Sequence, residues 1–138
     1  MREASLYSRI VGLISAAAIT ATLSISALAL DDGRLKGQLL KLDPQTRLEQ
    51  TCDAEVLLRI NRDLASFNVE KVVAYTFDEP VVGKNSIAAH GAAFRSGGNW
   101  YHLSYDCVTG PRHLDAHELH YEIGEKIPKA DWGKLDLY

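Results

Sequence analysis

The sequence predicts an α+β domain: one main helix packed on an antiparallel sheet of about four strands, then a short C-terminal helical turn, with one disulfide. Three observations carry that expectation. Apolar residues recur at helical spacing from Leu48 to Ile60, the period shortens to that of strands from Val69 onward, and the two cysteines fall one in each half, at Cys52 and Cys107.

Ahead of that domain the chain carries an export pattern. Arg2 and Arg9 make a short positive flank, Ile10 to Ile25 runs without a charge, and Ala27-Leu28-Ala29 places small residues where a signal peptidase reads them, before Asp31 and Asp32. The expectation is a signal peptide over 1–29, cleaved after Ala29, then a polar leader over 30–41 and a single domain over 42–138. The implied location is the periplasm. The alternative is a retained membrane anchor, since the uncharged stretch approaches spanning length. Its small and hydroxylated residues and the motif behind it favour cleavage, after which no membrane span remains.

The whole chain has a formal charge of −3. Residues 1–29 contribute a net +1 from Arg2, Arg9 and Glu3, which leaves −4 for the rest. Such a balance argues against nucleic acid or an anionic membrane as partner, because either needs a clustered basic surface.

In an exported chain both thiols meet an oxidising space. An even count without CxxC spacing then points to a structural Cys52–Cys107 bridge rather than zinc or redox chemistry. Closing a loop of about fifty residues contributes roughly 3–4 kcal/mol by the chain-entropy estimate. The alternative is two buried, unpaired thiols.

The helix opens at Asp43-Pro44, an N-cap whose oxygen accepts from free amides, followed by a proline that gives up only an amide left unpaired anyway. Leu48, Cys52, Val56 and Ile60, with Leu57 beside them, form its buried stripe. Arg47, Glu49, Asp53, Arg59 and Arg62 fall largely on the remaining surface, and the helix is expected to end within 61–68.

Val72, Val73, Tyr75, Thr76 and Phe77 form a β-rich run that closes at Asp78-Glu79-Pro80, and Gly83-Lys84-Asn85 forms a turn. A second strand over Ser86 to Phe94 holds alanines and Gly91, weak strand formers that imply something lying close over them, most simply a helix face. Ser96-Gly97-Gly98-Asn99 is a tight hairpin signal. From Trp100 to Val108, Tyr101, Leu103, Tyr105 and Cys107 share the face that must meet Cys52, while Trp100, His102, Ser104 and Asp106 take the other. After Thr109-Gly110-Pro111, a last strand over Leu114 to Ile123 stops at Gly124. Ile127, a helical turn from Pro128 through Asp131 and Trp132, and the packing residues Leu135, Leu137 and Tyr138 close the chain.

Leu42-Asp43-Pro44-Gln45-Thr46-Arg47-Leu48-Glu49-Gln50 leading into Cys52, Val72-Val73-Ala74-Tyr75, Gly91 to Gly98 with Trp100-Tyr101 running to Cys107, and the ending from Ile123-Gly124 to Trp132 resemble an exported bacterial family described as domain of unknown function 930. The resemblance covers nearly all of the chain beyond residue 29. It implies an envelope location and brings no activity, cofactor or catalytic residue.

Two sites follow from the residues themselves. The loop from Arg95 to Trp100 sets Arg95 and Trp100, residue types that dominate interfaces, around Gly97 and Gly98, which let a partner's backbone approach. Its alternative is a hairpin whose glycines serve the turn and whose tryptophan packs on the sheet or tail. On the outward sheet face, a register placing Tyr101 opposite Tyr121 brings His102 against His120 with Glu118 nearby, a set able to hold a divalent metal. The alternative there is a solvated strand face. His117 and His120 are three apart, not the four of a zinc-protease helix, and point to opposite faces of a strand. No nucleophile elbow is present. The sequence therefore favours a non-catalytic envelope module without a cofactor that binds a protein or a cell-wall component; the alternative is a metal-dependent or hydrolytic enzyme using His102, His120 and Glu118.

Overall fold

A computed structural model describes residues 33–138; the expected signal peptide and its cleavage site after Ala29 lie outside the described residues. Part of the expected leader is helical, over residues 33–39 (α1). What fastens it is Arg47, whose guanidinium donates to the carbonyls of Leu39 at 3.0 Å and Leu42 at 2.8 Å. Leu39, the last residue of α1, is buried.

The main helix, α2 (Pro44–Asp63), starts as its cap dictates: Asp43 Oδ1 accepts from the amides of Gln45 and Thr46, each at 3.1 Å. Hydrogen bonding from Thr46 and Gln45 holds that carboxyl below the usual carboxylate range. Leu48, Cys52, Val56 and Ile60 form the buried stripe, as the spacing predicts. At the far end Asn61 clamps the next element, its amide nitrogen donating to Val69 O at 3.0 Å and its oxygen accepting from Val69 N at 2.6 Å.

Five strands follow, β1 (Val69–Val73), β2 (Val81–Val82), β3 (Ser86–Ser96), β4 (Asn99–Thr109) and β5 (Ala116–Lys126), paired antiparallel in the order β1-β3-β4-β5 with β2 also on β3. β1 is shorter than its composition predicts. Tyr75, Thr76 and Phe77 lie in a turn, because the chain crosses β3 there at an irregularity between Ala89 and Ala92. Phe77 N donates to Gly91 O at 2.8 Å, and a Cβ on Gly91 would lie 2.8 Å from Asp78 Cβ and 3.0 Å from its Cα. This crossing, rather than a helix face, is what lies over Gly91.

The β3–β4 hairpin has the expected turn, Ser96 opposite Asn99, with Gly97 and Gly98 at φ of +55° and +73°, the left-handed pair that a two-residue connection favours. β5 runs past Gly124, where the sequence predicted its end. The reason is close packing: a Cβ on Gly124 would lie 2.8 Å from His102 Cβ, so the strand continues only because glycine leaves that space free.

Buried side chains fall into two layers. On one face α2 packs against Ile87, Phe94, Leu103, Tyr105 and Cys107, and the Cys52–Cys107 disulfide joins helix to sheet with Cα atoms 6.0 Å apart. On the other, the terminal segment, α3 (Lys129–Trp132) and a 3₁₀ turn (Gly133–Leu135), covers Trp100 and Ala93 with Ile127 and Leu137. Tyr138, expected to pack, is exposed. His113, unremarked in the sequence, is buried in the β4–β5 loop at φ +54°; its Nδ1 faces Pro44 O at 2.8 Å and its Nε2 faces Lys84 O at 3.0 Å, so it ties that loop to the start of α2 and to the β2–β3 turn.

Candidate functional site

A cleft of about 760 Å³ lies between α2, the end of β1 with its turn, and the terminal 3₁₀ segment. Glu49, Gln50 and Asp53 come from the helix, Lys71, Tyr75 and Thr76 from β1 and the turn, and Lys134 to Tyr138 form the opposite wall. Its lining is mainly polar, which sets it apart from the two packed layers on either side.

Asp53 dominates its chemistry. Tyr105, buried in the sheet, donates its hydroxyl to Asp53 Oδ1 at 2.6 Å. The second carboxyl oxygen has no hydrogen-bond partner among the described residues and belongs to a half-buried side chain on the cleft lining. Burial pushes the Asp53 carboxyl up to about 7; the Tyr105 hydrogen bond opposes that shift and the nearby Glu49 adds to it. Glu49 is itself raised, by burial and then by Glu79. The Tyr105 hydroxyl is pushed far up by burial and by the two carboxyls, so it remains a donor.

The bordering cations are engaged elsewhere. Lys71 Nζ lies 5.8 Å from the centre of the Trp100 ring and 5.9 Å from that of Tyr138, and Lys134 Nζ is 3.8 Å from Asp131. Among the described residues no ion pair reaches Glu49 or Asp53.

The residues singled out from the sequence are arranged differently from expectation. Gly97 and Gly98 are exposed at the hairpin tip, but Trp100 is wholly buried beneath the terminal segment, and Arg95 donates to Tyr138 O at 3.2 Å and stands 3.7 Å from Glu70. The loop therefore offers a partner no tryptophan, because the terminal segment needs that ring as its own anchor. The metal set is also dispersed. Tyr105, not Tyr101, stands opposite Tyr121, a slip of four residues along β4 that places His120 against Asp106 and Glu118 against Val108. His102 stacks on Phe77 with ring centres 4.3 Å apart. Across the same face His90 Nε2 contacts Asp106 Oδ1 at 3.0 Å, yet no three His, Cys, Asp or Glu side chains among the described residues converge on a metal position.

The family model described as Domain of Unknown Function (DUF930) matches residues 39–137. The chain belongs to that family. No curated protein and no solved structure matches it. The matched DUF930 segment starts and stops at buried residues, Leu39 and Leu137, and so takes in the helix, the sheet and the terminal segment. Every cleft residue except Tyr138 lies within it.

Helical spacing alone puts Asp53 on the solvent side of the DUF930 helix. A signal for its role was present: Asp53 follows Cys52, Tyr105 lies two before Cys107, and a buried tyrosine hydroxyl requires a partner. Once the cysteines are joined, Asp53 is a carboxylate brought close to that hydroxyl.

Proposed function

We propose that this protein is an exported, non-catalytic binding module of the cell envelope whose ligand occupies the cleft between α2 and the terminal segment. The observation that carries the reading is Asp53: a carboxyl whose ionisation burial moves up to about 7 inside a polar hollow, with one oxygen fixed by Tyr105 and the other without a partner among the described residues. Perturbed acids concentrate at functional sites, and small ligands are received in concave ones. The disulfide is compatible with the export that the first 29 residues predict. Among the described residues no helix is long and apolar enough to cross a membrane.

Two measurements test this. Terminal mass spectrometry of the chain recovered from the periplasmic fraction is expected to find Leu30 at the amino end. Soluble cell-wall fragments titrated into the ¹⁵N-labelled protein are expected to move the amides of Gln50, Thr76 and Leu135. Shifts confined to the Gly97–Gly98 tip or to the His90–Asp106 face would transfer the binding role away from the cleft.

A catalytic reading has one observation in its favour, again the near-neutral carboxyl of Asp53, which suits a general acid with Glu49 as second carboxylate. Turnover of a cell-wall fragment that disappears in Asp53→Asn would establish it. The metal-dependent form using His102, His120 and Glu118 has no converging ligands to rest on.

A further inference from the structure

We infer that the cleft receives a small organic cation, a ligand carrying a primary ammonium group, which Glu49 and Asp53 accept within a lining that Tyr75 shares. The inference builds on the cleft being the binding site and adds the ligand's chemical class.

Glu49 and Asp53 are one helical turn apart on α2 and border the same hollow. Each carboxyl is desolvated, Glu49 feels Glu79, and Asp53 feels Glu49. Lys71 and Lys134 share the lining, but among the described residues no cation forms an ion pair with either carboxyl. Arg47 is spent on the carbonyls before α2, Arg59 on Glu55 at 3.2 Å, Lys71 on two aromatic faces and Lys134 on Asp131. A neutral polyol would hydrogen-bond here but leave the carboxylates' mutual repulsion in place, and an anion would add to it. An ammonium group removes it, and its N–H bonds suit the unpartnered oxygen of Asp53. Tyr75, on the same lining, is 56% exposed, an aromatic side chain against which a cation is also stabilised. The hollow, about 760 Å³, is of the size that holds a small molecule.

A pH signature follows. The charged and titratable groups around Asp53 are Glu49 on its own helix, Tyr105 from β4, Lys71 from β1, and Lys134 and Asp136 from the terminal segment. An alkyl ammonium keeps its charge to about pH 10. Asp53 ionises near 7, so the ionised fraction rises from a few per cent at pH 5.5 to about nine tenths at pH 8, and affinity for the cation rises with it.

The test is a low-salt NMR titration of the disulfide-bonded chain recovered from its host. The probes are cadaverine, Nα-acetyl-lysine methylamide, 1,5-pentanediol and chitotriose. Either amine shifting the amides of Gln50, Thr76 and Leu135 while the diol does not, with affinity about tenfold higher at pH 8 than at pH 5.5, supports the proposal. The amine that binds tells a free polyamine from a peptide-borne one. Asp53→Asn, checked for an unchanged fold by its amide spectrum, is expected to lose about tenfold at pH 8 and to flatten the pH dependence. Glu49→Gln gives a second variant should the first misfold. Equal binding of diol and amine, or chitotriose alone moving the same amides, overturns the cation and leaves the cleft standing. Amines that shift only other regions, or nothing, overturn it as well.

Discussion

Asp53 keeps a proton that the unfolded chain releases. Its carboxyl ionises near 3.8 when unfolded and about 7 when folded, so between those values the native state holds one proton more. The stability this contributes is complete below about pH 4 and is lost as pH rises through 7. Asp53→Asn, which is uncharged throughout, should therefore gain on wild type by up to about 1.4 kcal/mol per pH unit across that window. Urea midpoints at pH 4, 6 and 8 measure it, and parallel curves for the two proteins would contradict the desolvation argued for this carboxyl. Trp100 shows the opposite case of a residue whose work is internal. With the ring fully buried between Ala93, Ile127 and Leu137, Trp100→Ala should cost about 3–5 kcal/mol. Chemical denaturation would show that loss; an unchanged midpoint would mean the terminal segment does not depend on the ring.

The elements that could be read from sequence are those whose signal is local. Asp43 and Pro44 begin α2, the stripe from Leu48 to Ile60 orients it, and Gly97-Gly98 makes the hairpin, because capping, helical period and left-handed backbone are each fixed within a few residues. Elements decided at a distance are not legible in local sequence. Tyr75 to Phe77 has strand composition but is drawn into a crossing by a backbone bond to Gly91, and the β4–β5 register depends on a loop held by His113 rather than on the pattern of either strand. Matching tyrosine to tyrosine chose the wrong pair, since both alignments keep core residues facing the helix. The cleft was missed for the same reason: its walls come from three separate parts of the chain. Gly91→Ala tests the crossing, because the added methyl meets backbone that has no room to retreat. A loss of about 1–3 kcal/mol is expected, together with weaker hydrogen-exchange protection of the Phe77 amide. Full protection at Phe77 in that variant would show that the crossing adjusts freely.

At the scale of the molecule, a sheet is covered by a helix on one face and by a terminal segment on part of the other, with one covalent tie between the first two layers. The bridge spans 55 residues, and removing it in Cys52→Ala/Cys107→Ala should cost about 4 kcal/mol by the loop-entropy estimate, read as a lower guanidinium midpoint with an altered slope. An unchanged midpoint would mean the helix is held by packing alone. The placement of that bridge has a further consequence. Asp53 is the residue after one sulfur and Tyr105 lies two before the other, so the bond that joins the layers also sets the spacing between proton donor and acceptor. Under the proposed binding role, a thiol-reduced chain would contain the same side chains yet lack the bond that fixes their spacing, so oxidation would be a maturation step for affinity and not only a source of toughness.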